Sequence, residues 1–340
     1  MIKHYIEKVA AGDNLTIEES FDAMDKIMSG GINNSQLSGF LIALKTKTET
    51  AEEIAGFTKA MRNKSIKLNI DTTNLVDVCG TGGDYSGTFN ISTATAFVVA
   101  GAGVRVAKHG NRSISSKTGS ADVLAELGIN INLTAKQAEA ALETAGITFL
   151  FAPNYHPAMK YATEVRRELG MKTVFNMLGP LINPAGVKRQ LIGVFSRKVA
   201  NILANATVYL DMEKVCFVNT SDCLDEISLT GITECNEYSH GQDIKVYNIT
   251  NKTFDYPEVE LKNILGDTSA CNAAIILGIL KDKKINSAFY VIAANAAFAL
   301  YCAGFSNDMK VCLKAAEEAI LSGAAFNKLN ILKKIGEMAA

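Results

Sequence analysis

The chain is predicted to be an α/β protein. A small all-helical N-terminal domain precedes a larger domain built on a mainly parallel central sheet. Three observations predict this. Residues 1 to about 68 carry only helical signals. From Leu75 onward, short β-branched runs alternate with helix-length segments, the pattern of a parallel sheet buried between helices. At 340 residues, the chain fits one large domain plus a smaller one better than a single core.

The helical signals are specific. Thr16-Ile17-Glu18-Glu19 and Thr50-Ala51-Glu52-Glu53 have the spacing of capping boxes, in which side chains satisfy the first free N–H groups of a helix. After the second box, Ile54, Phe57 and Met61 fall on one helical face. Gly30-Gly31 ends one helix and Asn33-Asn34-Ser35 offers caps for the next. Asp71-Thr72-Thr73-Asn74 links to the first strand. Strands are expected at Leu75 to Cys79, Val104 to Ala107, Ile147 to Phe151, Gln190 to Phe195 and Lys214 to Val218. Helices are expected at Thr134 to Ala145 and Val199 to Leu210. The last hundred residues read as mainly helical, with helices at Ser269 to Leu280, Ser287 to Ala303 and Asp308 to Leu321.

Composition narrows the function. Hydrophobic residues make up 48% and charged residues 20%, as in ordinary globular proteins. With 34 basic against 35 acidic residues, the chain lacks the basic balance of a nucleic-acid binder. Seven scattered cysteines without C-x-x-C pairs read as reduced thiols of a cytoplasmic protein, neither a disulfide framework nor a zinc site. The N-terminus has no signal-peptide pattern. Ala288 to Phe305 is uncharged, but it is Ala-rich and contains Asn295, so it reads as a buried helix and no membrane partner is expected.

Chemistry concentrates in two segments. In the first, the strand ending at Cys79 stops at Gly80-Thr81-Gly82-Gly83-Asp84, and Thr88, Asn90, Ile91, Ser92 and Thr93 lead into an apolar helix. Glycines let backbone N–H groups approach an anion, and a helix start adds free donors and a positive dipole end. The spacing is neither G-x-G-x-x-G nor a P-loop, and taken alone the turn could be structural. The second segment is Lys108-His109-Gly110-Asn111-Arg112-Ser113-Ile114-Ser115-Ser116, followed by Gly119-Ser120-Ala121-Asp122. Two cations, an amide and several hydroxyls predict a polar loop here, not a core element.

Together these segments resemble the anthranilate phosphoribosyltransferases of the nucleoside phosphorylase/phosphoribosyltransferase family. The resemblance continues in order. Phe151 to Lys160 is similar to F-A-x-x-x-H-P-A-M-K, Val165 to Gly170 to V-R-x-E-L-G, Phe175 to Pro184 to F-N-x-L-G-P-L-x-N-P, and Leu224 to Ser228 to L-D-E-x-S. It implies a small helical domain of residues 1–70 plus an excursion at about 166–188, and a large domain over 71–340. It also implies an active site in the hinged cleft between them and a homodimer through the helical domain.

The implied reaction transfers 5-phosphoribose from phosphoribosyl pyrophosphate to the amine of anthranilate. By resemblance, the phosphoribosyl pyrophosphate site comprises Gly80, Gly83, Asp84, Thr88, Asn90 to Thr93, Lys108 to Ser116 and Ser120. Gly80, Asn111 and Arg166 take anthranilate, with His109 and His156 bordering it. Two Mg²⁺ ions are implied, one on Asp225 and Glu226, the other on Ser92 and Glu226. No general base is assigned, because an arylamine is already nucleophilic. One departure bears on the metal: Cys223 replaces a glycine usual before L-D-E, and would be strained if that position has positive φ.

Overall fold

A computed structural model describes residues 2–112, 118–221 and 223–338. Its first layer is a bundle of α1 (Ile2–Ala10), α2 (Ile17–Met28), α3 (Asn34–Lys47) and α4 (Ala51–Lys64). Both expected capping boxes form: Thr16 with Glu19, and Thr50 with Glu53. Asn33 makes a third with Gln36. Ile54, Phe57 and Met61 are buried as their spacing predicts.

The larger domain then builds outward from its first strand. In chain order come β1 (Leu75–Gly80), α5 (Ile91–Gly101), β2 (Arg105–Gly110), α6 (Ser120–Glu126), α7 (Ala135–Ala145) and β3 (Ile147–Phe151). A return through α8 (Ala152–Tyr155), α9 (Lys160–Leu169) and α10 (Phe175–Leu178) packs against the bundle, where Ala162, Val165, Phe175 and Leu178 join its core. The chain resumes with β4 (Arg189–Gly193), α11 (Arg197–Thr207), β5 (Lys214–Thr220), β6 (Thr233–Ser239) and β7 (Lys245–Ile249). It finishes with α12 (Ser269–Leu280), α13 (Ser287–Ala303), α14 (Met309–Leu321) and α15 (Ala324–Met338).

Among the described residues the strands form one sheet in the order β3-β2-β1-β4-β5-β6-β7. The first five are parallel, and β6 and β7 add antiparallel edges. Strand order reverses between β1 and β4, where Gly80 pairs with Gly193. At such a switch point the loops leaving the strands part and open a crevice beyond their carboxyl ends.

Two expectations need correction. The expected strand from Val104 to Ala107 continues to Gly110, so Lys108 and His109 are buried strand residues, 3% and 6% exposed, and not part of a solvated loop. Burial is tolerated because Lys108 Nζ finds the Val78 carbonyl and the Ser92 hydroxyl. The antiparallel pair β6 and β7 was not anticipated, because Thr-Glu-Cys-Asn-Glu-Tyr-Ser carries too many polar residues to read as a strand. Its buried Glu237 is satisfied by the hydroxyls of Tyr247 and Tyr301 and by Lys214. Ser221 and Leu229, on either side of the acidic turn, take positive φ; the φ of Cys223 depends on Asp222, which lies outside the described residues. The apolar run around α13 is a buried core helix. No helix of the described residues is long and apolar enough to cross a membrane.

Candidate active site

The candidate residues gather at the carboxyl ends of the five parallel strands. Past β1, Gly82 and Gly83 take φ values of 62° and 73°, which side-chain-bearing residues seldom adopt. The Gly82 N–H thereby donates to Asp225 Oδ2 at 3.0 Å. Close approach is also required at Gly80, where a Cβ would lie 2.8 Å from that same oxygen, and at Gly193, where it would run into the Asp225 carbonyl. The Asp225 N–H donates to Asp84 Oδ2 at 3.4 Å. Glu226 Oε1 accepts from the Ser92 N–H at 3.1 Å, in the first turn of α5, where the helix dipole favours a carboxylate.

The acidic turn is pinned from behind. Thr220 Oγ1 donates to the Glu226 carbonyl at 2.6 Å. Asn295, in the apolar α13, accepts from the Ile227 N–H at 3.2 Å and donates to the Ile227 carbonyl at 2.8 Å. Asp225 keeps a partly open edge, yet burial first, and Asp84 next, push its carboxyl up to about 8. Burial, then Asp225, push Glu226 up as well. Crowded carboxylates with raised pKa are poised to take up positive charge.

Beside them, Lys108 Nζ donates to the Val78 carbonyl at 2.5 Å and to Ser92 Oγ at 3.2 Å. Burial pulls its pKa down, and Asp77 is the leading charge that opposes this. Asp77 is itself fully buried. It accepts from the His109 N–H at 3.2 Å, Asn183 Nδ2 at 2.9 Å and Gln190 Nε2 at 3.2 Å. The His109 and His156 rings lie 5.1 Å apart. Burial, reinforced for His109 by its neighbour, lowers them to about 3 and about 4, so both are neutral near pH 7. Neither Nε2 has a hydrogen-bond partner among the described residues.

The remaining expected residues are placed less uniformly. Asn111 is exposed, and its carbonyl accepts from the Ala121 N–H and Ser120 Oγ at 3.2 and 3.3 Å. Arg112 pairs with Asp122 at 2.8 Å. Asn90 donates to the Thr118 carbonyl and accepts from Asn272. Thr88 bridges to Leu265, and Gly110 ends β2. The side chains of Ile91 and Thr93 are fully buried, that of Ile91 within the hydrophobic core. Arg166 comes from α9, its guanidinium 5.3 Å from the centre of the Phe175 ring. Ser113, Ile114, Ser115 and Ser116 lie outside the described residues, as does Asp222.

Sequence reasoning missed Asp77, Asn183, Gln190 and Asn295. A carboxylate inside a β-branched strand and a single amide in an eighteen-residue uncharged run were the available signals for Asp77 and Asn295.

The donor set suits a hard cation. Two carboxylates and the Ser92 hydroxyl present oxygen ligands, and among the described residues no group of three or more His, Cys, Asp or Glu could hold a metal. Mg²⁺ needs little more, because it keeps waters and takes further oxygens from phosphates.

Known proteins resemble the chain throughout. Residues 72–326 match the α/β domain of a glycosyl transferase family, and residues 3–65 match the helical bundle domain of a glycosyl transferase family. The anthranilate phosphoribosyltransferase of Methylobacillus flagellatus is 44% identical over 335 residues, covering 98% of each chain. The chain belongs to this family. A second member, from Alkaliphilus metalliredigens, is 44% identical over 337 residues, with 99% of both chains covered. Among solved structures of the family, that from Thermus thermophilus superposes with a TM-score of 0.91 at 34% identity, covering 98% of this chain and 99% of the other. The Saccharomyces cerevisiae enzyme, solved in complex with PRPP and Mg, gives 0.90 at 28% identity, covering 99% and 98%.

Proposed function

We propose that the chain transfers the 5-phosphoribosyl group from phosphoribosyl pyrophosphate to the amine of anthranilate. The products are N-(5-phosphoribosyl)anthranilate and pyrophosphate, and the step serves tryptophan biosynthesis. One observation carries the reading: the glycine loop after β1 and the acidic turn after β5 are hydrogen-bonded to each other at the switch point of the sheet. One binds phosphate through backbone N–H groups, and the other accepts cations.

In this reading the glycine loop and the first turn of α5 cradle the phosphates, and Lys108 supplies a buried positive charge beside Ser92. Arg166 grips the anthranilate carboxylate through its planar fork, and Asn111 orients the amine. His109 and His156, being neutral, border the aromatic acceptor at low electrostatic cost. Asp225 and Glu226 would hold one Mg²⁺, and Glu226 with Ser92 a second, neutralising charge on the departing pyrophosphate. Holding both substrates between the helical layer and the sheet removes much of the entropic barrier, roughly 7–11 kcal/mol in favourable cases. Residues 1–70 with about 166–188 act as the small domain, 71–340 as the large one, in a cytoplasmic homodimer.

Anthranilate fluorescence tests the reading. Loss should require the protein, phosphoribosyl pyrophosphate and Mg²⁺ together. It should vanish in Arg166→Ala and drop strongly in Asp225→Asn with Glu226→Gln. No loss from well-folded protein across a range of Mg²⁺ concentrations would overturn it.

A further inference from the structure

Lys172 lies in the link between α9 and α10, on the helical side of the molecule. Its carbonyl accepts a hydrogen bond from Lys45 Nζ of α3 at 2.7 Å. Its ammonium reaches the sheet side, 3.9 Å from the centre of the Phe195 ring and 5.1 Å from that of Tyr85. Both rings belong to the glycine-loop assembly. The Phe195 N–H donates to Thr81 Oγ1 at 3.2 Å, and Tyr85 follows Asp84. Tyr85 is also unusual in itself: it is 69% exposed and has φ of 57°, a conformation aromatic residues seldom adopt. Nothing in the catalytic reading above uses Lys172, yet Asp84 and Asp225 both favour its charged form against the pull of burial.

We propose that Lys172 is a cross-domain latch that holds the glycine loop to the helical layer through its two aromatic contacts. A cation above an aromatic face is attracted by the ring quadrupole, more strongly when partly desolvated. Tyr85, which the ammonium contacts, directly follows Asp84, and Asp84 is hydrogen-bonded to the acidic turn at Asp225, so a divalent ion arriving at that turn repels the ammonium and loosens the latch. Lys172 is therefore a positioning residue that ties loop mobility to metal occupancy. The inference rests on the proposed reading of this loop and turn as the phosphate and metal sites.

The test compares the wild-type chain with Lys172→Met, similar in length without charge, and Lys172→Arg, which keeps a cation able to stack. Lys172 is partly exposed, so both variants should fold. Two measurements need no substrate: Mg²⁺ titration by calorimetry, and hydrogen exchange across residues 80–90. Lys172→Met should bind Mg²⁺ about two- to fivefold more tightly, and its glycine-loop amides should exchange about tenfold faster. Lys172→Arg should stay near wild type in both. In turnover, Lys172→Met should raise KM for phosphoribosyl pyrophosphate more than it lowers kcat. Unchanged loop exchange in Lys172→Met overturns the latch, and unchanged Mg²⁺ affinity overturns its coupling to the metal. Faster exchange, in a protein whose wild type never consumes anthranilate, sinks the transferase reading and leaves the latch standing.

Discussion

The ends of β1 and β2 lie side by side in the sheet and meet opposite demands. At the end of β1 the chain presents backbone: glycines, positive φ values and N–H groups free of Cβ obstruction. At the end of β2 it presents side chains: a lysine and a histidine almost wholly buried, supported by Asp77 beneath them. A polyanionic ligand explains the division. Close contact with its oxygens is best made by main-chain donors, while a fixed charge in a low-dielectric wall acts strongly without touching every oxygen.

The sharpest way to break this contrast is Lys108→Met. Losing a buried, charge-assisted donor should cost about 10- to 100-fold in kcat/KM for phosphoribosyl pyrophosphate, measured by steady-state kinetics at saturating anthranilate. A loss below twofold would show that β2 contributes scaffold and not charge. A smaller effect is expected from Gly80→Ala. Its Cβ would crowd Asp225 Oδ2, and overpacking of this kind costs about 1–3 kcal/mol, readable in urea unfolding. Mg²⁺ affinity should fall with it. An unchanged midpoint and unchanged affinity would mean the glycine is there by accident.

The last effect is absent at neutral pH and grows on acidification; it belongs to β2 and the turn after β3. His109 and His156 sit near 3 and 4 in the folded protein and return to 6.5 on unfolding. Above pH 6.5 neither state holds the extra proton, and their stabilising contribution is complete. Below it the unfolded chain binds protons that the folded chain refuses, so stability falls towards pH 4, by up to about 1.4 kcal/mol per unit for each histidine. His156→Gln should flatten the denaturation profile over that window; a profile as steep as wild type would mean that other groups carry the dependence.

The same two strand ends mark how far sequence reasoning reaches. The glycine turn was legible because its chemistry lies in local backbone preferences. So were the bundle's caps at Thr16 and Thr50, where short-range hydrogen bonds decide the outcome. The buried state of Lys108 and His109 was not legible, because it depends on Val78, Ser92 and Asp77, which adjoin them only after the sheet assembles. β6 escaped for the same reason: Glu237 is acceptable inside only once Tyr247, Tyr301 and Lys214 surround it. Asn295 looked like an interruption in an apolar helix and serves as the clamp on the residue after Glu226.

The return of α9 to the bundle has a consequence for biosynthesis. Roughly a hundred residues separate the end of α4 from the start of α9, which takes a ribosome roughly 5–20 s to add. During that interval the first four helices are complete, but their α2 and α3 surfaces lack the helix that covers them. The N-terminal layer is thus the first to be synthesised, and it waits for β1 to β3 before it can close. A helix borrowed from so far along the chain means that the bundle's last face is covered only after the first three strands have been made.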